Sequence, residues 1–163
     1  MQPNLLIFDL DETLVHATPS ALARKADFAC PPYFVYTRPY VRELLFAISP
    51  FYDFAVWSSS SRDYVDLVVA TIFGNDFHVK FAWAVDRCIQ RVDVRSNSYV
   101  YIKDLRKVQS QGYEVSQITI LDDSPEKIAR QPKNHLSLSP YLGQVEDSEL
   151  LRIRDLLLKR AGH

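Results

Sequence analysis

Three short runs of apolar residues each end in a cluster of polar side chains, and this pattern restricts the folds open to the chain. The runs cover residues 5–10, 54–57 and 118–121, and helical patterns lie between them. Strands that are apolar along their whole length are typical of a parallel sheet covered on both faces. Crossovers between such strands are almost always right-handed. The sequence therefore predicts an α/β fold with a doubly wound, Rossmann-like parallel sheet between helices.

The segments between these runs supply the helices and one insertion. Apolar residues recur at helical spacing after Pro39, and a serine run at 58–61 precedes a second helix that Gly74 ends. Residues 16–32 are polar and small, which predicts a loop or a small insertion. We expect one domain over residues 1–163, with an insertion at about 16–37 and without a large cap.

Composition excludes several classes of protein. The net charge is −1 and the pI is near 6.4, so no global basic field attracts nucleic acid or anionic membranes. Two cysteines are too few for a disulfide framework. No apolar run reaches the roughly 18 residues of a membrane span. We predict an intracellular, cytoplasmic protein, or a nuclear one if the source is eukaryotic. The sequence leaves the oligomeric state open.

Ligands of open α/β sheets bind outside the carboxyl ends of the strands. The polar residues at these ends are Asp9 and Asp11, then Ser58, then Asp122 and Asp123, and a β-prone segment at 99–102 leads to Lys103. Residues 87–98 before it read as a polar excursion. The two-residue period of a strand would point Asp9 and Asp11 to the same side. If the strands are neighbours, all these groups meet in one crevice.

Four carboxylates in one crevice repel one another and require compensation. Two unit charges 4 Å apart cost about 4 kcal/mol at an effective dielectric constant near 20. Lys103 supplies one positive charge, and a divalent metal supplies two; all-oxygen ligands suit Mg²⁺. Phosphoryl transfer mainly needs charge neutralisation and in-line positioning. One carboxylate could attack phosphorus and form an aspartyl-phosphate while its neighbour transfers protons.

Each cluster taken alone also has a purely structural interpretation. An aspartate at a strand end can cap a helix, serines 59–61 can form a loop and a cap, and Lys103 can be a solvated charge. The sequence from Asp122 to Pro125 can be a helix start. Four aromatic residues could line a groove or pack in the core: Trp57, Trp83, Tyr33 and Phe34. The joint order of the clusters favours the phosphoryl-transfer site.

At these motifs the chain resembles the haloacid dehalogenase superfamily of aspartate-nucleophile phosphotransferases. Within it, the chain is similar to the phosphatases of the RNA polymerase II C-terminal-domain type, also called NLI-interacting-factor-like. The resemblance covers essentially the whole chain, through the stretches FDLDETLVHA, RPYVRELL, AVWSSSSRDYVDLVV, YIKDLRKV, ITILDDSPEK and NHLSLSPYLG. It has no close match between His16 and Arg38, where family members build a substrate-recognising insertion.

The resemblance implies a role for each matching residue. Asp9 would be the nucleophile, and Asp11 the general acid/base whose backbone carbonyl also binds Mg²⁺. Asp9, Asp122 and Asp123 would provide the carboxylates for Mg²⁺, with one of Asp122 and Asp123 binding through water. The remaining roles are Ser58 on a phosphoryl oxygen, Thr13 as a hydrogen-bonding support, and Lys103 neutralising Asp9 and the phosphoryl group. Arg87 loosely matches an arginine near the family's substrate groove, and a solvated arginine is an equal alternative.

Three functions remain open at this point. The first is a Mg²⁺-dependent phosphatase of phosphoserine or phosphothreonine in a protein, which an uncapped site favours because such a site admits a macromolecule. The second is a phosphatase of nucleic-acid ends or small phosphoesters, for which a local basic groove would be needed. The nearest candidates for that groove are Arg87, Arg91, Arg95, Arg106 and Lys107. The third is a non-catalytic interaction module, against which the intact Asp9 and Asp11 argue.

Overall fold

The computed structural model describes residues 3–163 and has a central sheet of five parallel strands. In spatial order these are His135–Ser137 (β10), Ile118–Asp122 (β9), Asn4–Phe8 (β1), Tyr52–Trp57 (β5) and Val79–Trp83 (β6). Strand β1 lies in the middle, and side chains from both of its faces are buried. The prediction of an α/β fold with a parallel sheet is confirmed.

Three α-helices and several 3₁₀ segments cover the sheet. The helices are Val41–Ile48 (α1), Arg62–Phe73 (α2) and Glu149–Arg160 (α3). All three contribute to the core that contains Leu6 and Phe8 of β1. The core around Leu5 and Ile7, on the other face, is instead closed by the 3₁₀ segment Leu105–Gln111 and neighbouring residues. One face is thus covered by long helices and the other by short ones.

The insertion after β1 is a small antiparallel sheet. Its strands are Val15–Thr18 (β2), Phe28–Cys30 (β3) and Tyr33–Thr37 (β4), in the order β2-β4-β3. The sequence predicted a loop or a small insertion over residues 16–32, and it did not predict the strands β2 and β3 within this segment. Both strands are only three or four residues long and mostly half-buried, so they lack the apolar alternation that marks a strand in sequence. No large cap is present within residues 3–163.

A β-hairpin stands apart from the central sheet. Its strands are Ile89–Asp93 (β7) and Ser98–Ile102 (β8), which pair only with each other. The polar excursion expected at residues 87–98 contains the strand β7, and the β-prone segment before Lys103 belongs to this hairpin and not to the central sheet. The end of β8 still lies beside the turn that follows β9, because the backbone N–H of Lys103 donates to the carbonyl of Lys127 at 2.8 Å.

The segment after β9 forms a 3₁₀ turn and not an α-helix. Pro125 begins a 3₁₀ turn, Pro125–Ile128, where the sequence predicted the start of a helix. Within the described part of the chain, no helix combines the length and the apolar composition needed to cross a membrane.

Candidate active site

Three strand ends meet at the middle of the sheet because β1 lies between β9 and β5. Asp9 directly follows β1, Ser58 directly follows β5, and Asp122 is the last residue of β9. All three are buried. The backbone N–H of Asp9 donates to the carbonyl of Leu121 at 3.0 Å, which continues the pairing of β1 with β9. The sheet itself therefore fixes the positions of these three residues.

A buried ammonium joins two of the carboxylates. The Nζ atom of Lys103 lies 2.9 Å from Oδ1 of Asp9 and 2.6 Å from Oδ2 of Asp122. The Lys103 side chain is fully buried. Burial would lower the pKa of this lysine, but the two carboxylates outweigh burial and raise it. The two carboxylates therefore favour the charged form of Lys103 at the end of β1.

A tight turn after β1 places Thr13 against Asp9. The carbonyl of Leu10 accepts hydrogen bonds from three successive backbone N–H groups, those of residues 13–15. Glu12 has a φ of +64°, in the left-handed region that residues with a side chain seldom adopt. The Thr13 hydroxyl consequently lies 2.9 Å from Oδ2 of Asp9 and 3.4 Å from Oδ1 of Asp123.

Arg38 stabilises this turn through a hydrogen bond to its backbone. Its guanidinium is buried and pairs with both carboxylate oxygens of Asp147, at 2.8 and 3.0 Å. It also donates to the carbonyl of Thr13 at 3.1 Å and to that of Ser139 at 2.8 Å. Arg38 thereby links the insertion, the turn after β1 and the segment before α3.

Asp11 faces a different set of groups from Asp9. Its Oδ2 accepts from the Ser60 hydroxyl at 2.7 Å, and its Oδ1 accepts from the Tyr64 hydroxyl at 2.5 Å. The expectation that the two aspartates point to one side by strand periodicity does not apply, because β1 ends at Phe8. The chain turns after Asp9, so the two carboxylates have separate partners.

Ser58 lies between the strand end and the serine loop. Its backbone N–H donates to the carbonyl of Trp83, and its Oγ accepts from the backbone N–H of Ser60 at 3.0 Å. The hydroxyl of Ser58 can still donate its own proton. This is the property required of a residue that binds a phosphoryl oxygen.

The two environments shift the pKa values of the two aspartates in opposite directions. Burial would raise the pKa of Asp9, but the charges of Lys103 and Lys127 and the hydrogen bonds at this carboxylate lower it. Burial raises the pKa of Asp11, the charge of Asp9 adds to this effect, and the hydroxyls of Tyr64 and Ser60 only partly oppose it. Asp9 is thus held ionised, and Asp11 is more easily protonated.

The carboxylates of Asp9, Asp122 and Asp123 form an acidic cluster in which one oxygen from each lies within 4.8 Å of the others. Burial and the charges of its two neighbours raise the pKa of Asp123 to about 7. Lys103 alone does not compensate three carboxylates. All donors are oxygens, so the cluster fits Mg²⁺. The carboxylate of Asp11 is outside it, which agrees with the backbone carbonyl that the resemblance assigned to Asp11.

A cavity of ≈ 400 Å³ opens beside Asp11. Its lining includes Tyr33 of the insertion and Ser60 and Tyr64. The ring of Tyr33 packs edge-on against that of Tyr64, with 6.3 Å between centroids, and Tyr33 is exposed. Of the aromatic residues with two interpretations, Tyr33 therefore lines a groove.

The other aromatic residues and Arg87 lie elsewhere. Trp57 and Trp83 are buried and pack edge-on at 4.9 Å between ring centroids, so they belong to the core. Phe34 is exposed but does not line the cavity beside Asp11. Arg87 follows β6 in an exposed 3₁₀ turn, with its guanidinium 4.8 Å above the Trp83 ring. The structure therefore places Arg87 at the edge of the sheet that bears the crevice, but shows no contact between it and the aspartates.

Sequence reasoning missed three residues of the site. Ser60 appeared only as part of a loop and a cap, and neither Tyr64 nor Lys127 had an assigned role. Tyr64 carries a hydroxyl on the core face of α2, and buried hydroxyls need a partner. Lys127 follows the Asp122-Asp123 pair by a few residues. Its Nζ donates to the Ser59 hydroxyl at 3.0 Å.

Solved structures share this fold. Fission yeast RNA polymerase II CTD phosphatase Fcp1 bound to beryllium fluoride superposes with a TM-score of 0.64 at 17% identity, over 98% of this chain and 51% of that one. A HAD-like family hydrolase from Porphyromonas gingivalis gives a TM-score of 0.56 at 13% identity, over 96% and 98% of the two chains. The fold is thus that of HAD-like hydrolases.

Curated relatives point to a narrower group. The "CTD small phosphatase-like protein 2" of Dictyostelium discoideum is 28% identical over 91% of this chain and 26% of its own length. The human "Carboxy-terminal domain RNA polymerase II polypeptide A small phosphatase 2" is 27% identical over 96% of this chain and 57% of its own length. The chain therefore spans between about a quarter and three fifths of these two relatives.

The family comparison covers almost the whole chain. The model of the NLI interacting factor-like phosphatases matches residues 4–162. This range contains all the strands and helices of the fold and every residue of the crevice described above. The resemblance found in the sequence is confirmed, and the chain belongs to the family of NLI interacting factor-like phosphatases.

Proposed function

We propose that this chain is a Mg²⁺-dependent phosphomonoester hydrolase with Asp9 as its nucleophile. The observation that carries the proposal is the pairing of Asp9 and Asp122 with the buried Lys103, beside the third carboxylate of Asp123. A carboxylate held ionised at a strand end, next to a cation, is suited to attack phosphorus. Family membership supports the same chemistry.

Two displacements at phosphorus would complete the reaction. Oδ of Asp9 attacks the phosphorus atom, the ester P–O bond breaks, and protonated Asp11 gives its proton to the leaving alkoxide. The product is an aspartyl-phosphate. Asp11, now ionised, then takes a proton from a water molecule whose oxygen attacks the same phosphorus. The bond to Asp9 breaks, inorganic phosphate leaves, and both aspartates return to their starting states.

Several residues would support these steps. Thr13 and Lys103 fix the orientation of the Asp9 carboxylate, and the Ser58 hydroxyl can donate to a phosphoryl oxygen. Asp9, Asp122 and Asp123 would hold Mg²⁺, together with the backbone carbonyl of Asp11. When bound, the ion supplies positive charge to the clustered carboxylates and to the phosphoryl oxygens.

We assign phosphoserine or phosphothreonine in a protein as the substrate class. The crevice has no large cap within residues 3–163, and the cavity beside Asp11 forms a groove with Tyr33 in its wall. An open groove of this kind admits a peptide chain. The names of relatives as RNA polymerase II C-terminal-domain phosphatases support the same class.

Phosphate release tests the chemistry and the substrate class together. Purified protein would be assayed with Mg²⁺ and with EDTA on p-nitrophenyl phosphate, phosphoserine, phosphothreonine and phosphotyrosine peptides, nucleotides, and 3′- and 5′-phosphorylated oligonucleotides, with Asp9→Asn as the blank. We expect Mg²⁺-dependent release that is fastest on phosphoserine or phosphothreonine peptides. Release from oligonucleotides alone would replace the protein substrate by nucleic-acid ends. Silence across the panel would favour a binding module.

A further inference from the structure

Lys127 places a second ammonium at the crevice, in a setting unlike that of Lys103. Lys103 is fully buried and bonded to two carboxylates. Lys127 is half-buried, and its Nζ donates to one neutral group, the Ser59 hydroxyl, at 3.0 Å. Among residues 3–163 no carboxylate lies within salt-bridge distance of Lys127. Its charge is therefore not neutralised by a partner.

The sheet topology places this charge beside the nucleophile. Lys127 lies in the turn after β9, and Ser59 lies in the loop after β5. Strand β1 lies between β9 and β5, so the Lys127–Ser59 contact joins the two strand ends on either side of Asp9.

The charge balance in the crevice indicates that binding a phosphate dianion requires a further positive charge, which Lys127 can supply. Asp9, Asp122 and Asp123 contribute three clustered carboxylates, and Lys103 together with a divalent cation carries just enough positive charge to balance them. A phosphate monoester arrives as a dianion and would then meet a site without net positive charge. An ammonium with a neutral partner can exchange a hydroxyl for a phosphoryl oxygen at little cost, because hydrogen bonds between charged groups are the stronger ones.

We propose that Lys127 is a further substrate-contacting residue, whose ammonium turns from the Ser59 hydroxyl to an oxygen of the bound phosphate. The proposal deepens the proposed function, on which it rests for the site but not for turnover. Lys103 then keeps Asp9 and Asp122 in place, while Lys127 supplies the attraction for the incoming dianion. Ser59 is only the resting partner of Lys127.

Binding of inorganic phosphate tests this without catalysis. Titration calorimetry with Mg²⁺ would compare wild type with Lys127→Met, Lys127→Arg and Ser59→Ala. The matched control is Lys133→Met, because Lys133 also lies in a proline-led 3₁₀ turn but precedes β10, at the opposite edge of the sheet. Thermal unfolding of each variant checks the fold, and Lys127→Gln repeats the comparison with a polar side chain.

We expect Lys127→Met to weaken phosphate binding about 10- to 100-fold, the loss of one charge-assisted hydrogen bond. Lys127→Arg should restore most of the affinity, and Lys133→Met should stay within about twofold of wild type. Ser59→Ala should also stay close to wild type, because the charge and not the resting contact binds phosphate. Lys127→Met should lower kcat/KM on phosphopeptides by a similar factor.

Two results would overturn the assignment while leaving the proposed function intact. One is wild-type phosphate affinity in Lys127→Met. The other is an equal loss in Ser59→Ala, which would make the contact a structural strut. Phosphate binding that depends on Lys127 in a protein without phosphatase activity would support the inference and refute the proposed function. A wild-type protein that binds no phosphate at all would refute the inference, while the phosphate-release assay would decide the proposed function separately.

Discussion

Asp9 and Asp11 are separated by one residue, yet they occupy different chemical environments. Asp9 contacts the ammonium of Lys103 and the hydroxyl of Thr13, and its pKa is lowered although the residue is buried. The carboxylate of Asp11 accepts hydrogen bonds from the hydroxyls of Ser60 and Tyr64, and burial raises its pKa. When neighbouring groups have pKa values displaced in opposite directions, the ionised one suits nucleophilic attack and the other suits proton transfer.

The largest effect should follow from changing Asp9, the aspartate whose pKa is lowered. Asp9→Asn keeps the shape of the side chain but removes the nucleophilic carboxylate, so no aspartyl-phosphate can form. We expect phosphate release to fall to the level of the buffer. Rapid acid quench with a ³²P-labelled phosphopeptide should also find label on wild-type protein and none on the variant. Full activity in Asp9→Asn would refute the covalent route.

Asp11→Asn should weaken the reaction without preventing attack. The amide can keep a hydrogen bond to Ser60 or Tyr64, but it cannot give or take a proton. We expect kcat to fall by roughly 10²–10⁴-fold, the usual contribution of a general acid/base. An aspartyl-phosphate should still form, because Asp9 is intact. It should form slowly, because Asp11 no longer protonates the leaving group. A kcat equal to that of wild type would assign the proton transfers to another group.

Lys103→Met should lower the free energy of unfolding, because the environment of Asp9 depends on a buried counter-ion and that of Asp11 does not. It leaves Asp9 and Asp122 buried without a counter-ion, and breaking a buried ion pair costs about 3–5 kcal/mol. Urea unfolding in EDTA would measure the change in the free energy of unfolding. Lys107→Met, at an exposed lysine, is the control and should change it by less than about 0.5 kcal/mol. A small loss in Lys103→Met would show that water or protonation already compensates the carboxylates.

The strand-end positions of the site could be predicted from the sequence, and the separation of Asp11 from Asp9 could not. Three apolar runs with polar ends sufficed to bring Asp9, Ser58 and Asp122 together, because a parallel sheet aligns its carboxyl ends. The turn that separates Asp11 from Asp9 depends on a positive φ at Glu12. Glutamate seldom adopts such a conformation, so the residue type does not predict it. Local sequence therefore carried no mark of it.

The same distinction applies to the residues that surround the strand ends. Tyr64 has the spacing of a core residue of α2, and only the packed helix shows that its hydroxyl reaches Asp11. Lys103 was placed by its motif, although its strand belongs to a hairpin outside the central sheet. Short strands such as β2, β3 and β7 are defined by their pairing partners, which local periodicity does not reveal.

Tyr64→Phe should have the smallest effect, and it tests the hydroxyl groups around Asp11 without changing the surroundings of Asp9. The change removes the contact to Oδ1 of Asp11, while Ser60 still holds Oδ2. We expect about a tenfold loss of kcat/KM on phosphoserine peptides, the value of one hydrogen bond to a charged group. Ala17, which lines the same cavity, offers a control in Ala17→Ser, because it alters the wall and not Asp11.

The leaving group separates a positioning role of Tyr64 from a merely structural one. A serine alkoxide needs a proton as it departs, whereas p-nitrophenolate is stable without one. If Tyr64 orients Asp11 for proton transfer, Tyr64→Phe should slow phosphoserine peptides much more than p-nitrophenyl phosphate. An equal loss on both substrates would mean that Tyr64 only maintains the shape of the groove. The two aspartates would then differ through burial and charge alone, and the hydroxyls around Asp11 would have no part in the chemistry.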